Sequence, residues 1–155
     1  MRPTSKLVLT AALLSGAACG RIRMPEGDAP TVLPSGSWSA LVSGTAASGG
    51  APRGTIRLTP TSTSGEWNAE IEMTAIRHLA RHPWYIRSGA CGEIAAEDVS
   101  SRAVQPIEGL PDRTGSLKAK VRARLDPVRT YHVVLAVSPG DSETQVGCGP
   151  LTYHP

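Results

Sequence analysis

Residues 66–75 read Glu66-Trp67-Asn68-Ala69-Glu70-Ile71-Glu72-Met73-Thr74-Ala75, with apolar and polar side chains alternating throughout. Residues 117–125 repeat the pattern as Leu117-Lys118-Ala119-Lys120-Val121-Arg122-Ala123-Arg124-Leu125. A strand turns successive side chains to opposite faces, so period two predicts one buried and one solvated face, as in half-buried antiparallel strands. The Lys, Ala, Arg and Leu of residues 117–125 favour helix by propensity. Helical spacing would scatter the five apolar residues around the cylinder, so the period decides for strand.

The same logic extends outward. Residues 37–44 around Trp38, 54–59 around Ile56 and Leu58, and 84–87 predict weaker strands. Residues 130–138 (TYHVVLAVS) are nearly all apolar and predict a strand covered on both faces. Residues 145–152, carrying Cys148, predict the last strand. Turn residues fall between them at Ser48-Gly49-Gly50, Ser64-Gly65, Pro111-Asp112, Asp126-Pro127 and Pro139-Gly140-Asp141. The expectation is an all-β, antiparallel Greek-key sandwich or barrel of about seven to eight strands. Residues 93–115 lack strand periodicity and predict a long connection, with a helical turn near residues 95–100.

Composition agrees. The chain has 155 residues, enough for one domain, with 16 Gly and 13 Pro favouring turns over long helices. Phe is absent, so three Trp and three Tyr must anchor the core. The net charge is +3, but without Arg2 and Lys6 the balance is 14 basic to 13 acidic residues. Bulk charge therefore implies no polyanionic partner.

Arg2 and Lys6 open an export-type leader. They precede an apolar run, Leu7-Val8-Leu9-Thr10-Ala11-Ala12-Leu13-Leu14, then Ser15-Gly16-Ala17-Ala18-Cys19. The run is too short to span a bilayer, which needs about 20 residues. It resembles the lipobox of bacterial lipoproteins, with Gly16 where Leu is commonest. That resemblance implies a signal peptide over residues 1–18 and lipidation of Cys19, the membrane then being one partner of the chain. The plainer alternative is a secretory signal cut at the same small residues. Residues 19–36, with three prolines in residues 21–36, read as a flexible tether, and residues 37–155 as the folded domain. Gly20 is compatible, by the same analogy, with transport to an outer membrane.

An exported chain with three cysteines leaves one unpaired. If Cys19 carries lipid, Cys91 and Cys148 remain as a pair for an oxidising compartment. A bridge between them would stabilise the fold by about 4 kcal/mol in the chain-entropy model.

Two islands carry a second resemblance. His82-Pro83-Trp84-Tyr85-Ile86-Arg87-Ser88-Gly89-Ala90-Cys91-Gly92 is one; Tyr131-His132-Val133-Val134-Leu135-Ala136 followed by Gln145-Val146-Gly147-Cys148-Gly149-Pro150-Leu151 is the other. Together they resemble the copper/zinc superoxide dismutase fold and the related CHRD domain. The resemblance implies a cysteine in the loop after the first of these strands bonded to one near the C-terminus. It also places two copper ligands of that strand at Tyr85 and Arg87, and a late-strand ligand at Ala136. The region that would hold zinc, residues 92–116, contains no histidine. Imidazole-held metals need several such ligands, and Arg87 brings a fixed positive charge. The expectation is a scaffold without metal, cofactor or dismutase chemistry.

Remaining candidates are weighed against plainer roles. His78 and His82 have a helical metal-ligand spacing but flank a proline beside a predicted strand; with His132 they form the alternative of a divergent metalloenzyme. Otherwise His78 and His82 lie in a loop with Arg77 and Arg81 exposed, and His132 is a strand residue. His154 is expected to be disordered at the terminus. No Gly-x-Ser-x-Gly elbow, phosphate loop or dinucleotide motif occurs. Lys118, Lys120, Arg122 and Arg124 make a basic row, and Glu66, Glu70 and Glu72 an acidic one. If the strands are neighbours the rows form ion pairs; if not, the basic row is a dock for acidic glycans or lipid headgroups. Without interleaved aromatics it does not suit single-stranded nucleic acid. The resulting expectation is a non-catalytic binding or structural module of the cell envelope, meeting an envelope protein or glycan. A further alternative is an immunoglobulin-like adhesion module, with Cys91 and Cys148 bridging opposite sheets across a Trp-packed core.

Overall fold

A computed structural model describes residues 35–93, 96–100 and 105–155. The leader and nearly all of the tether, Cys19 included, lie outside the described residues.

The described chain is all-β, with nine strands: β1 (Ser37–Gly44), β2 (Arg53–Pro60), β3 (Glu66–Thr74), β4 (Arg81–His82), β5 (Trp84–Ser88), β6 (Ile107–Glu108), β7 (Gly115–Arg122), β8 (Tyr131–Ser138) and β9 (Asp141–His154). Seven form one antiparallel sheet in the order β5-β8-β9-β1-β2-β3-β7, while β4 and β6 pair separately. The order follows the chain through β1-β2-β3 and β8-β9, then departs from it twice. The chain crosses from β3 to the far edge for β5, and returns to set β7 beside β3. These crossovers are the Greek-key element of the fold.

The sheet curls so that its two ends share one core. Trp38, Ile56, Leu58, Trp67, Ile71, Ile86, Val121, Val133 and Leu135 belong to a single buried cluster, although β5 and β7 are opposite edges of the sheet. A short segment spans the gap between those edges. Asp98 bridges to Arg87 at the end of β5, and Ser100 to Ala123 just past β7. The Ser100 hydroxyl also accepts the Ile86 amide at 2.8 Å. Edge groups that would otherwise be unpaired are thereby covered.

The alternation expected over residues 66–75 is borne out as far as Thr74, where β3 ends; Ala75 leaves the strand with φ +58°. Trp67, Ala69, Ile71 and Met73 are buried, and the intervening Asn68, Glu70 and Glu72 are exposed. The buried indole of Trp67 donates to the Ala123 carbonyl at 2.9 Å, so burying it strands no polar atom. β8 is buried from Tyr131 to Ala136, as a strand covered on both faces. On β9 the residues facing Val133 and Leu135 are Gly149 and Gly147. A side chain at Gly149 would run into the Leu41 carbonyl of β1, so glycine permits the close approach.

Several boundaries differ from expectation. β7 ends at Arg122, because β3 begins opposite it at Glu66; beyond that, the Ala123 amide donates to Gly65 in the preceding turn and Ala123 bridges to Ser100. β9 is longer than residues 145–152. It starts at Asp141, directly after a tight turn from β8 with irregular register, and ends at His154. His154 is no loose terminus: it pairs with Ser37 and its Nε2 lies 2.8 Å from the Ser39 hydroxyl. The helical turn expected near residues 95–100 is replaced, where described, by the extended bridges at Asp98 and Ser100. The two-residue strands β4 and β6 were too short to show any period.

Candidate functional site

The sheet's outer surface is mostly solvated, but one part is not. On β5, Trp84 and Ile86 point to the core, and Tyr85 and Arg87 therefore point away from it. Their cross-strand neighbours on β8 are Val134 and His132. Tyr85, Val134 and Ala136 form a second, smaller buried cluster. Arg87 and His132 are buried beside it, at 7% and 0% exposure.

Several contacts hold the segment after β5 in place, three of them through side chains on or beside this face. The first is the Gly89 carbonyl, 2.9 Å from His132 Nδ1. Gly89 has φ +81°, a left-handed conformation that glycine adopts without strain. The second is the Cys91–Cys148 disulfide, with Cα atoms 6.0 Å apart. Cys148 sits on β9 opposite Val134, so the bridge fastens the turn across β8 to the last strand. The third is an ion pair, in which Arg87 Nε donates to Asp98 Oδ1 at 2.9 Å.

This ion pair is nearly withdrawn from solvent. The Arg87 and Asp98 side chains are 8% and 13% exposed. The guanidinium carbon lies 5.1 Å from the centre of the Tyr85 ring, within cation–π range. A weaker contact reaches Glu143 at 3.7 Å, from the exposed end of the β8–β9 hairpin. At this depth, removing one partner alone typically costs about 3–5 kcal/mol.

Tyr85, Arg87 and Ala136, the positions where the resemblance expects ligands, lie on the same face of β5 and β8, with Arg87 opposite His132 and Ala136 packed with Tyr85 and Val134. Their chemistry does not suit a divalent cation. A guanidinium holds its charge at any working pH and repels a metal, Ala136 offers no donor, and the Arg87 charge is already matched by Asp98. His132 is the imidazole nearest in sequence register; its Nε2 has no hydrogen-bond partner.

The alternative trio of histidines is not gathered. His78 lies in an exposed turn. His82 is buried, contrary to its expected place in an open loop, and its Nδ1 lies 2.9 Å from the Ala136 carbonyl. The amide of Ala136 in turn donates to the Pro83 carbonyl at 2.8 Å. His132 is fixed to Gly89. Among the described residues no group of three or more His, Cys, Asp or Glu is placed to hold a metal ion.

The disulfide connects a turn and a strand of the same sheet, not two facing sheets as an immunoglobulin-like module requires. Arg77 and Arg81 are exposed, as expected, with Arg81 3.3 Å from Glu108 across the β4–β6 pair.

The charged rows are neighbours. β3 and β7 pair with Glu70 opposite Lys118 and Glu66 opposite Arg122. Lys118 reaches Glu70 at 2.8 Å and Lys120 reaches Glu66 at 3.3 Å. Lys118 holds the Glu70 carboxyl below its ordinary range, and Glu70 raises the Lys118 ammonium in return. A continuous basic dock is therefore absent along this part of β7.

Asp98 and Ser100 hold the segment along β5, and sequence reading gave neither a role. Their stretch carries no strand period that would have singled them out. No protein-family model matches the chain, and no curated protein matches its sequence.

Proposed function

We propose that the chain is an exported, lipid-anchored module of a bacterial cell envelope, acting by binding or as structure and not by catalysis. Its domain is read as a superoxide dismutase/CHRD-type sandwich whose metal site has been replaced. The observation that carries this reading is the Arg87–Asp98 ion pair at 2.9 Å, stacked on Tyr85, where the resemblance expects ligands. An organised, desolvated ion pair is a structural solution in its own right and leaves a cation no donor set.

Connectivity gives further support. The bond from the turn after β5 to the last strand is the pairing that the dismutase-like reading implies. The leader resemblance supplies the anchor at Cys19 and, through Gly20, a destination at the outer membrane. Two or more acyl chains would hold it there stably, where one is marginal. The partner is then an envelope protein or glycan reached from a tethered position.

The test is elemental analysis of the exported, disulfide-intact protein, alongside a dismutase assay. The expected result is folded protein with neither stoichiometric copper or zinc nor activity. Stoichiometric metal, retained after dialysis and lost on replacing His132, would overturn the reading.

A further inference from the structure

The ladder of ion pairs between β3 and β7 stops short of the basic row's end. β3 begins at Glu66, opposite Arg122, and Ser64-Gly65 turns the chain away before any residue can face Arg124. The Glu66 carboxylate is itself occupied, by Lys120 at 3.3 Å and by the Thr61 hydroxyl at 3.2 Å. Among the described residues, Arg122 and Arg124 have no ion-pair partner within 4.0 Å, and Arg129 reaches only Asp126, at 4.0 Å. All three arginines are exposed.

They line the same depression. An open cleft of about 820 Å³ lies between the end of β7 and the segment bridging it to β5, with Arg122, Arg124 and Arg129 on its wall. The hydroxyl residues Ser64 and Thr130 also line it, and among the described residues Glu97 is its one acidic lining residue. Its size falls in the range of small-ligand sites, about 300–1,000 Å³, and exceeds what a single inorganic anion fills. Guanidinium forks match carboxylates in a bidentate manner, and hydroxyls and Glu97 suit a ligand rich in O–H groups.

We propose that this cleft binds an acidic saccharide through sugar carboxylates on Arg122, Arg124 and Arg129. The proposal rests on the reading of the chain as a binding module and gives that module a ligand class. It is independent of the metal question, because the cleft contains none of Tyr85, Arg87 or Ala136.

The probes are a uronic acid trisaccharide, a neutral trisaccharide of the same size and inorganic phosphate, titrated calorimetrically into the full chain, with amide chemical shifts mapping the site. The expected result is saturable binding of the uronic acid trisaccharide, with shifts at Arg122–Arg129. The neutral sugar should bind at least about tenfold more weakly, as should Arg124→Gln towards the acidic sugar. Arg57→Gln, a cation on another strand, controls for bulk charge and should bind normally. Equal affinity for the neutral sugar, phosphate binding as tightly as the trisaccharide, or an unchanged Arg124→Gln would each overturn the proposal. Acidic sugar binding whose shifts map elsewhere would overturn the cleft while leaving the binding-module reading intact. A metal-loaded, active protein that still bound the sugar here would do the reverse.

Discussion

Two regions of this sheet pair acids with bases, and they differ in almost every physical respect. On β3 and β7, Lys118 and Glu70 meet at 2.8 Å in solvent, with side chains 84% and 54% exposed. On β5, Arg87 and Asp98 meet at 2.9 Å with almost none. Equal distance does not mean equal consequence. Water screens the first pair, and either side chain can rehydrate if its partner is lost. The second is largely stripped of water, so losing Asp98 leaves the Arg87 charge only its long contact to exposed Glu143 at 3.7 Å.

Breaking the buried pair should therefore have the largest effect. Asp98→Ala is expected to destabilise the domain by about 3–5 kcal/mol, read by chemical denaturation. Arg87→Met combined with Asp98→Leu should recover most of that, since an apolar replacement removes both charges together. If the single variant proves as stable as the parent, the pair is not desolvated in solution and the contrast collapses.

The disulfide that fastens the same segment comes next. Cys91→Ser with Cys148→Ser should lower stability by about 4 kcal/mol, with the fold retained in the cold. Under non-reducing conditions, thiol alkylation and mass measurement of the parent should find neither cysteine reactive. His132→Phe sharpens the comparison further. It keeps an aromatic ring, somewhat larger, but leaves the Gly89 carbonyl without its 2.9 Å partner, at a cost of about 1–3 kcal/mol.

The exposed pair should give the smallest effect. Lys118→Ala is expected to move the denaturation midpoint barely, and less still at high salt. The pH dependence has two ends. The folded-state pKa of Glu70 is lowered, so its contribution is present above its unfolded value and fades as acid carries pH down through the folded one. That of Lys118 is raised, so its contribution is complete below its unfolded value and fades as pH climbs through the folded one. A double-mutant cycle on this pair should vanish at both extremes; one that grew in acid would contradict the assignment.

The contrast also explains what could be read in advance. Residues 66–75 and 117–125 announced their strands because a half-solvated sheet writes its two faces into alternating chemistry. The ion pairs followed once the strands were neighbours, but that adjacency was open: β7 pairs with β3 only because the chain returns after β5. The apolar run of β8 was legible for the opposite reason, being covered on both sides. The segment over β5 was not legible. Asp98 and Ser100 make one bridge each, to Arg87 on β5 and to Ala123 just past β7, and a single bridge leaves no period. His154 looked loose because terminal residues usually lack partners, yet β1 provides one.

The sequence by itself determined the all-β class and most strand positions, because period and turn residues are local; it pointed to Cys91 and Cys148 only on the reading of Cys19 as lipidated. Only the tertiary structure decided the strand order, the burial of Arg87 against Asp98 and the separation of the three histidines. It also decided which arginines were left over at the end of β7. Those outcomes depend on which distant segments meet and which charges lose their water, and neither is encoded at any fixed spacing along the chain.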